Sequence, residues 1–180
     1  MTDYSMVAPK IMLNSGLYFD IQYPHNSVIT FNDIAHSLSN LCRFNGHCNK
    51  FYSVAQHSVL VSGLVADEFK AVALMHDMAE AVTGEITTPM KVLVPEFEDI
   101  QMTVHIELCR KFNLPEEIPQ EVQLADLIML ATEKRDLMPE GNLIWEIIKN
   151  INPMSEIISP LTPFYAKQQF CRAAKNYGII

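Results

Sequence analysis

The chain has no run approaching the ~18 consecutive apolar residues of a membrane-spanning helix. Its longest apolar stretches, such as Val59 to Ala66, are broken, here by Ser62 and Gly63. The first ten residues, Met1 to Lys10, carry no basic head followed by an apolar block, so no secretory leader and no membrane partner are expected. The four cysteines (Cys42, Cys48, Cys109 and Cys171) form no C-x-x-C pair. Reduced thiols in a cytoplasmic protein are the simplest reading, in the host cytoplasm if the chain is phage-encoded. A GxxxxGK[ST] loop is missing, which removes a P-loop NTPase. Basic residues are scarce: 13 Lys and Arg stand against 21 Asp and Glu, for a net charge of −8. That excludes nucleic acid as the main partner, because phosphate backbones reward clustered cations. A small phosphorylated ligand stays open, since a metal ion and two or three placed basic residues can bind one locally.

No internal repeat, low-complexity tract or linker divides the 180 residues, so one domain is expected over 1–180. Its core spans about 30–138, with a C-terminal helix at about 163–177. With 49% hydrophobic residues the chain can bury a core. The pattern reads as all-α, a helical bundle with a short extended or β arm at the start. Asn14-Ser15-Gly16 reads as a turn, and Leu17 to Ile21 with Val28-Ile29 as a small hairpin or arm. Thr30 precedes Asp33 at capping-box spacing, which predicts a helix from about Phe31 to Cys42. Further helices are expected at about Ser53 to Ala66, Glu68 to Thr83 (ended by Gly84), Glu96 to Phe112, Pro119 to Met138 and Pro163 to Tyr177. Thr87-Thr88-Pro89 reads as a loop.

The chemistry centres on His76-Asp77 in the third of these helices. An HD dipeptide alone is a weak signal. Two further metal ligands must come from other helices, and His57 on the preceding one and Asp126 on a later one are the candidates. A bundle can bring such side chains together in its core. A carboxylate flanked by Leu124, Ala125, Leu127 and Ile128 is costly to bury unless it meets a cation. This mixed nitrogen and oxygen set suits manganese, iron, cobalt, nickel or zinc. Glu80, one turn after His76, is a candidate base for water or proton donor to a leaving oxygen. Glu85 follows Gly84 and can reach back over the site. Lys91 is a candidate phosphate ligand, though by spacing alone it reads as a surface lysine.

His57…His76-Asp77…Asp126 resembles the H…HD…D signature of the HD superfamily of phosphohydrolases. The stretch from His76 to Lys91 is similar to the bacterial deoxynucleotidase (YfbR-like) version, HDxxExxxGDxxxPxK. Tyr52 to Ser58 resembles the same group, with Arg43-Phe44-Asn45-Gly46 upstream. The resemblance covers about Ile34 to Leu137 and extends to the small phage and bacterial members, which include dATP triphosphohydrolases. It implies His57, His76, Asp77 and Asp126 as metal ligands for zinc, cobalt or manganese, with further ions at the phosphates. It implies Glu80 as the catalytic carboxylate, Arg43 on the phosphate, Phe44 against sugar and base, Lys91 near the phosphates, and Pro89 in the pocket wall. A homo-oligomer, dimer or hexamer, is implied as well. Glu85 stands where an Asp is usual, and Phe44 where a Trp is common. Glu133, two turns after Asp126, is a residue that could brace the site.

The expected reaction is hydrolysis of dATP to deoxyadenosine and tripolyphosphate, with a metal-activated water attacking the α-phosphorus. The alternatives are a 5′-nucleotidase acting on deoxynucleoside monophosphates and a non-catalytic HD module that senses nucleotides. A cysteine hydrolase using Cys42 or Cys48 with His47 lacks a third residue to orient the base.

Overall fold

A computed structural model describes residues 7–180. The first six residues, part of the stretch read for a leader, lie outside the described residues. The architecture is all-α with a small N-terminal arm. Strand β1 (Lys10–Met12) pairs antiparallel with β2 (Tyr18–Asp20), with Ile11 opposite Phe19. Asn14-Ser15-Gly16 forms the connecting turn, where Gly16 takes a φ of 84° that favours glycine. The arm's partner differs from the expected one. Val28 and Ile29 are not a strand, and Ile29 instead sinks into the core beside Phe19.

Helix α1 (Phe31–Asn40) begins as its sequence predicts. The Thr30 hydroxyl accepts the Asp33 backbone N–H, and the Asp33 carboxylate accepts the Thr30 N–H. Asp33 also accepts the backbone N–H of Ser15 at 2.8 Å, so one carboxylate pins the arm to the helix start. Helix α2 (Val54–Gly63) starts at Ser53, whose hydroxyl accepts the Gln56 N–H. It is the central helix and contacts α1, α3 (Lys70–Met75), α7 (Gln120–Leu137) and α8 (Pro163–Asn176). Helix α6 (Glu96–Phe112) ends at Asn113, which adopts a left-handed φ of 53°.

Two readings of the chain need correction. The expected helix from Glu68 to Thr83 is not continuous. After a 3-10 turn at Asp67–Phe69, α3 stops at Met75, and α4 (Glu80–Thr83) follows tight turns. In those turns the N–H groups of Met78, Glu80, Ala81 and Val82 bond three residues back instead of four. His76-Asp77 therefore sits at a break, not inside a helix. The expected loop at Thr87-Thr88-Pro89 leads straight into α5 (Thr88–Leu93), because proline fits a first helical turn, where its missing N–H costs nothing.

Two apolar clusters meet across α2. One joins Phe19, Ile34, Leu38, Leu74, Leu108 and Phe170. Phe31 stacks on Phe170 there, with ring centroids 5.6 Å apart. The other gathers Tyr52, Val61, Val122, Met129 and Ile158 around α7. Among the described residues no helix is long and apolar enough to cross a membrane.

Thr30→Ala removes one half of the capping box and should cost about 1 kcal/mol. Urea denaturation should show a lower midpoint with an unchanged slope.

Candidate metal centre

His57 lies on the inner face of α2 and is fully buried. Its Nδ1 is 2.6 Å from Oε1 of Glu133, a fully buried carboxylate on α7. His76 follows the last residue of α3. Its Nδ1–H donates to the Ala73 carbonyl at 2.7 Å. Both imidazoles are thus anchored through Nδ1, one by a carboxylate and one by a backbone carbonyl. Metal-binding histidines are held in this way, leaving Nε2 to face the ion. Here both Nε2 atoms are buried and neither has a hydrogen-bond partner.

The carboxylates gather at the same point. Asp126 Oδ1 lies 3.1 Å from His57 Nε2. Asp77 Oδ2 lies 3.2 Å from His76 Nε2 and 3.7 Å from His57 Nε2. One donor atom from each of His57, His76 and Asp126 falls within 4.8 Å of the others. The tight turns after α3 also matter. Residues three apart eclipse in such winding, and both Asp77 and Glu80 line the same cleft.

Arg43 is buried below this cluster. Its Nε and Nη2 donate to Glu133 Oε2 at 3.2 and 3.1 Å. Its Nη1 stands 3.7 Å from both Asp77 and Glu85. The backbone turns sharply after it: Phe44, Asn45 and Gly46 all have positive φ. Asparagine and glycine accept that conformation readily, whereas a bulky phenylalanine there stores local strain. The hairpin-like bond from Arg43 N–H to the Tyr52 carbonyl ties the turn to the start of α2.

Burial alone would neutralise these groups, but their neighbours decide otherwise. Burial and Arg43 both disfavour a charged His57, yet Glu133 and Asp126 outweigh them and lift it to about 10. Burial likewise opposes a charged His76, and Asp77 reverses the sign. Asp126 and Glu133 stay ionised against burial, Asp126 through His57, and Glu133 through Arg43 and His57. Asp77 is held low despite burial by His76, His57 and Arg43. Glu80 goes the other way: burial, then Asp77 and Glu85, push it well above the carboxylate range. Burial also raises Glu85. Carboxylates thus outnumber the single guanidinium at this cluster, an excess of negative charge that imidazolium protons or a divalent cation can offset.

The cluster opens on a cleft of about 570 Å³. Of the residues expected in the site, His76, Asp77, Glu80, Lys91 and Asp126 line it. His57 lies behind them. Arg43, Phe44, Glu85 and Pro89 do not line it. Phe44 instead meets Trp145 at 6.0 Å between ring centroids, and Pro89 is exposed in the first turn of α5. Lys91 donates to Gln101 Oε1 at 3.0 Å. The cleft also contains His105, Gln101 and Gln123, which the sequence reading passed over. Histidine and glutamine on helices carry no local signal of a site. Glu133 was more legible, since a seven-residue step from Asp126 returns to the same helix face.

Metal uptake should release protons, because the surrounding carboxylates lift His57 to about 10 and also raise His76, and both rings must be deprotonated to bind through nitrogen. Affinity for zinc or manganese should therefore rise with pH. Calorimetry in buffers of different ionisation enthalpy measures the protons released. Glu133→Gln should weaken metal binding about 10- to 100-fold, read as metal content after dialysis.

Comparison with models of known protein families gives no match. Two curated relatives align well. The uncharacterized protein YfdR of Escherichia coli strain K12 is 43% identical over 158 residues, which cover 87% of this chain and 88% of the relative. An uncharacterized protein of Rhodobacter capsulatus is 31% identical over 137 residues, covering 68% of this chain and 70% of the relative. The chain belongs to the same protein family as YfdR of Escherichia coli.

Proposed function

We propose that this protein is a metal-dependent phosphohydrolase of the HD type that acts on deoxynucleotides. One observation carries the reading. Two buried imidazoles, both anchored through Nδ1, leave unpartnered Nε2 atoms beside Asp126 and Asp77 at the wall of an open cleft. A divalent ion bound there would activate water near neutral pH and draw charge from phosphoryl oxygens. His57, His76, Asp77 and Asp126 would hold it.

The chain's own groups then divide the remaining work. Glu80 has a buried oxygen without a hydrogen-bond partner, and burial, Asp77 and Glu85 all favour its protonated form. It is placed to give a proton to the leaving oxygen, as a raised carboxylic acid does elsewhere. Lys91 lines the cleft and can turn from Gln101 to a phosphate. Arg43 acts from below the site. Paired with Glu133 and close to Asp77, it positions the metal-binding carboxylates and does not reach the cleft. The shift of Phe44 onto Trp145 leaves the sugar and base to other walls.

The first reaction to assay is conversion of dATP to deoxyadenosine and tripolyphosphate. A 5′-nucleotidase acting on deoxynucleoside monophosphates is favoured by one observation: Lys91 is the one lysine or arginine among the cleft-lining residues. A tripolyphosphate needs more positive charge than a single phosphate.

Incubation with each deoxynucleoside triphosphate and monophosphate, with manganese, cobalt or zinc, separates the readings by product. Tripolyphosphate from dATP supports the first reaction. Orthophosphate from monophosphates, with triphosphates untouched, supports the second. No hydrolysis of any nucleotide, or full hydrolysis by a His76→Ala, Asp77→Ala double variant, overturns the proposal. Glu80→Gln should lower kcat about 10²- to 10⁴-fold with metal content unchanged.

A further inference from the structure

One wall of the cleft is used by neither the metal ligands nor Glu80. It is formed by one face of α6, with Gln101, Met102 and His105, and one face of α7, with Val122, Gln123 and Leu127. Residues three and four apart share a helix face, so these side chains border one space. Met102 and Leu127 offer apolar surface for a flat ring. Gln123 stands one turn before Asp126, about 4.5 Å along the helix axis. A nucleotide with its phosphate at the metal ligands would bring its base to this wall.

Two polar groups there have fixed orientations. The Nε2 of His105 lies 3.2 Å from the Glu116 carbonyl. A carbonyl only accepts, so Nε2 carries the proton. Burial lowers the pKa of His105 against the pull of that carbonyl, so the ring is neutral at pH 7. Nδ1 then carries a lone pair. The structure shows no hydrogen bond to Nδ1, and it is not among the buried polar atoms left without a partner, so it reaches open space. His105 is 6% exposed and borders the cleft. Gln123 is fixed in the same way. Its Nε2 donates to the Ile118 carbonyl at 2.8 Å, leaving Oε1 as an acceptor without a partner among the described residues. Gln101 differs, because it accepts from Lys91 and donates to Thr83.

We infer that this wall is the nucleobase subsite, where the acceptors His105 Nδ1 and Gln123 Oε1 select a base with an exocyclic amino group over one with a carbonyl in its place. The inference rests on the deoxynucleotide reading and adds the substrate's base class. An amino N–H satisfies an acceptor lone pair. A carbonyl oxygen set against the same lone pair leaves both unsatisfied and repelling.

The test uses matched pairs that differ at this group: dAMP with dIMP and dCMP with dUMP, and the same pairs as triphosphates. The full chain with manganese should favour the amino member by about tenfold in kcat/KM, the scale of one neutral hydrogen bond. His105→Leu and Gln123→Leu should each lower the ratio, and the double variant should bring it close to one. Gln123 is exposed, so its variant carries the test if His105→Leu fails to fold. An unchanged ratio in a folded variant, or equal turnover of both members by the parent protein, overturns the inference. If nothing is turned over, calorimetric binding of dAMP and dIMP to the manganese-loaded chain decides. Preference for dAMP upholds the subsite without the hydrolase. Equal binding overturns the subsite alone. Binding of neither overturns the subsite and the deoxynucleotide reading together.

Discussion

A single carboxylate with no exposed surface, Glu133, faces His57 through one oxygen and Arg43 through the other. Three parts of the chain meet at it: the central helix α2, the turn after Cys42, and α7. A buried charge of this kind is tolerated only when its partners are placed well, and removing one partner costs about 3–5 kcal/mol. The contact therefore sets more than stability. It fixes the ring of His57, and so the direction of its free nitrogen. It also holds Arg43 beneath the cluster, where the guanidinium faces Asp77. The register of α7 against α2 then decides where Asp126 stands, two turns earlier on the same face.

The same surroundings push neighbouring carboxyl groups apart. Asp77 and Glu80 are three residues from one another and share a cleft, yet they have opposite tendencies. Asp77 meets two imidazoles and a guanidinium and stays charged. Glu80 is buried beside two further carboxyl groups, which push its pKa up. The two differ because of where each points, not because of residue type. The tight turns after α3 bring both to one cleft, and their charged neighbours set them apart.

Sequence patterns carried the fold class and most helix ends. Thr30 with Asp33, Ser53, Gly84 and the prolines before α6, α7 and α8 are local signals, and local signals survive folding. The misreadings arose where tertiary contacts prevail. Nothing in residues 68–83 announces a break, because the apolar spacing suits one long helix. The start of α5 was hidden because Thr-Pro suits both a loop and a first helical turn. The hairpin partner was missed because residues 10–12 have too little alternation to read as a strand. In the site, the histidines and aspartates stood out through their spacing. Arg43 and Phe44 were placed in the ligand space by resemblance, whereas the buried pairing with Glu133 draws the first inward and the left-handed turn sends the second towards Trp145. His105 and Gln123 gain meaning only from the carbonyls they meet.

The short helix α5 buries none of its residues, and it is linked to its surroundings through Lys91, Gln101 and Thr83. That chain of bonds makes the lysine a latch as well as a cation. An anion that draws the ammonium group into the cleft takes it from the Gln101 carbonyl oxygen. The amide is then held by Thr83 alone, and α5 loses its polar tie to α6. The binding of such an anion and the freedom of this segment would thus be thermodynamically linked: whatever stiffens α5 against α6 would weaken the hold on it, and whatever frees α5 would strengthen it.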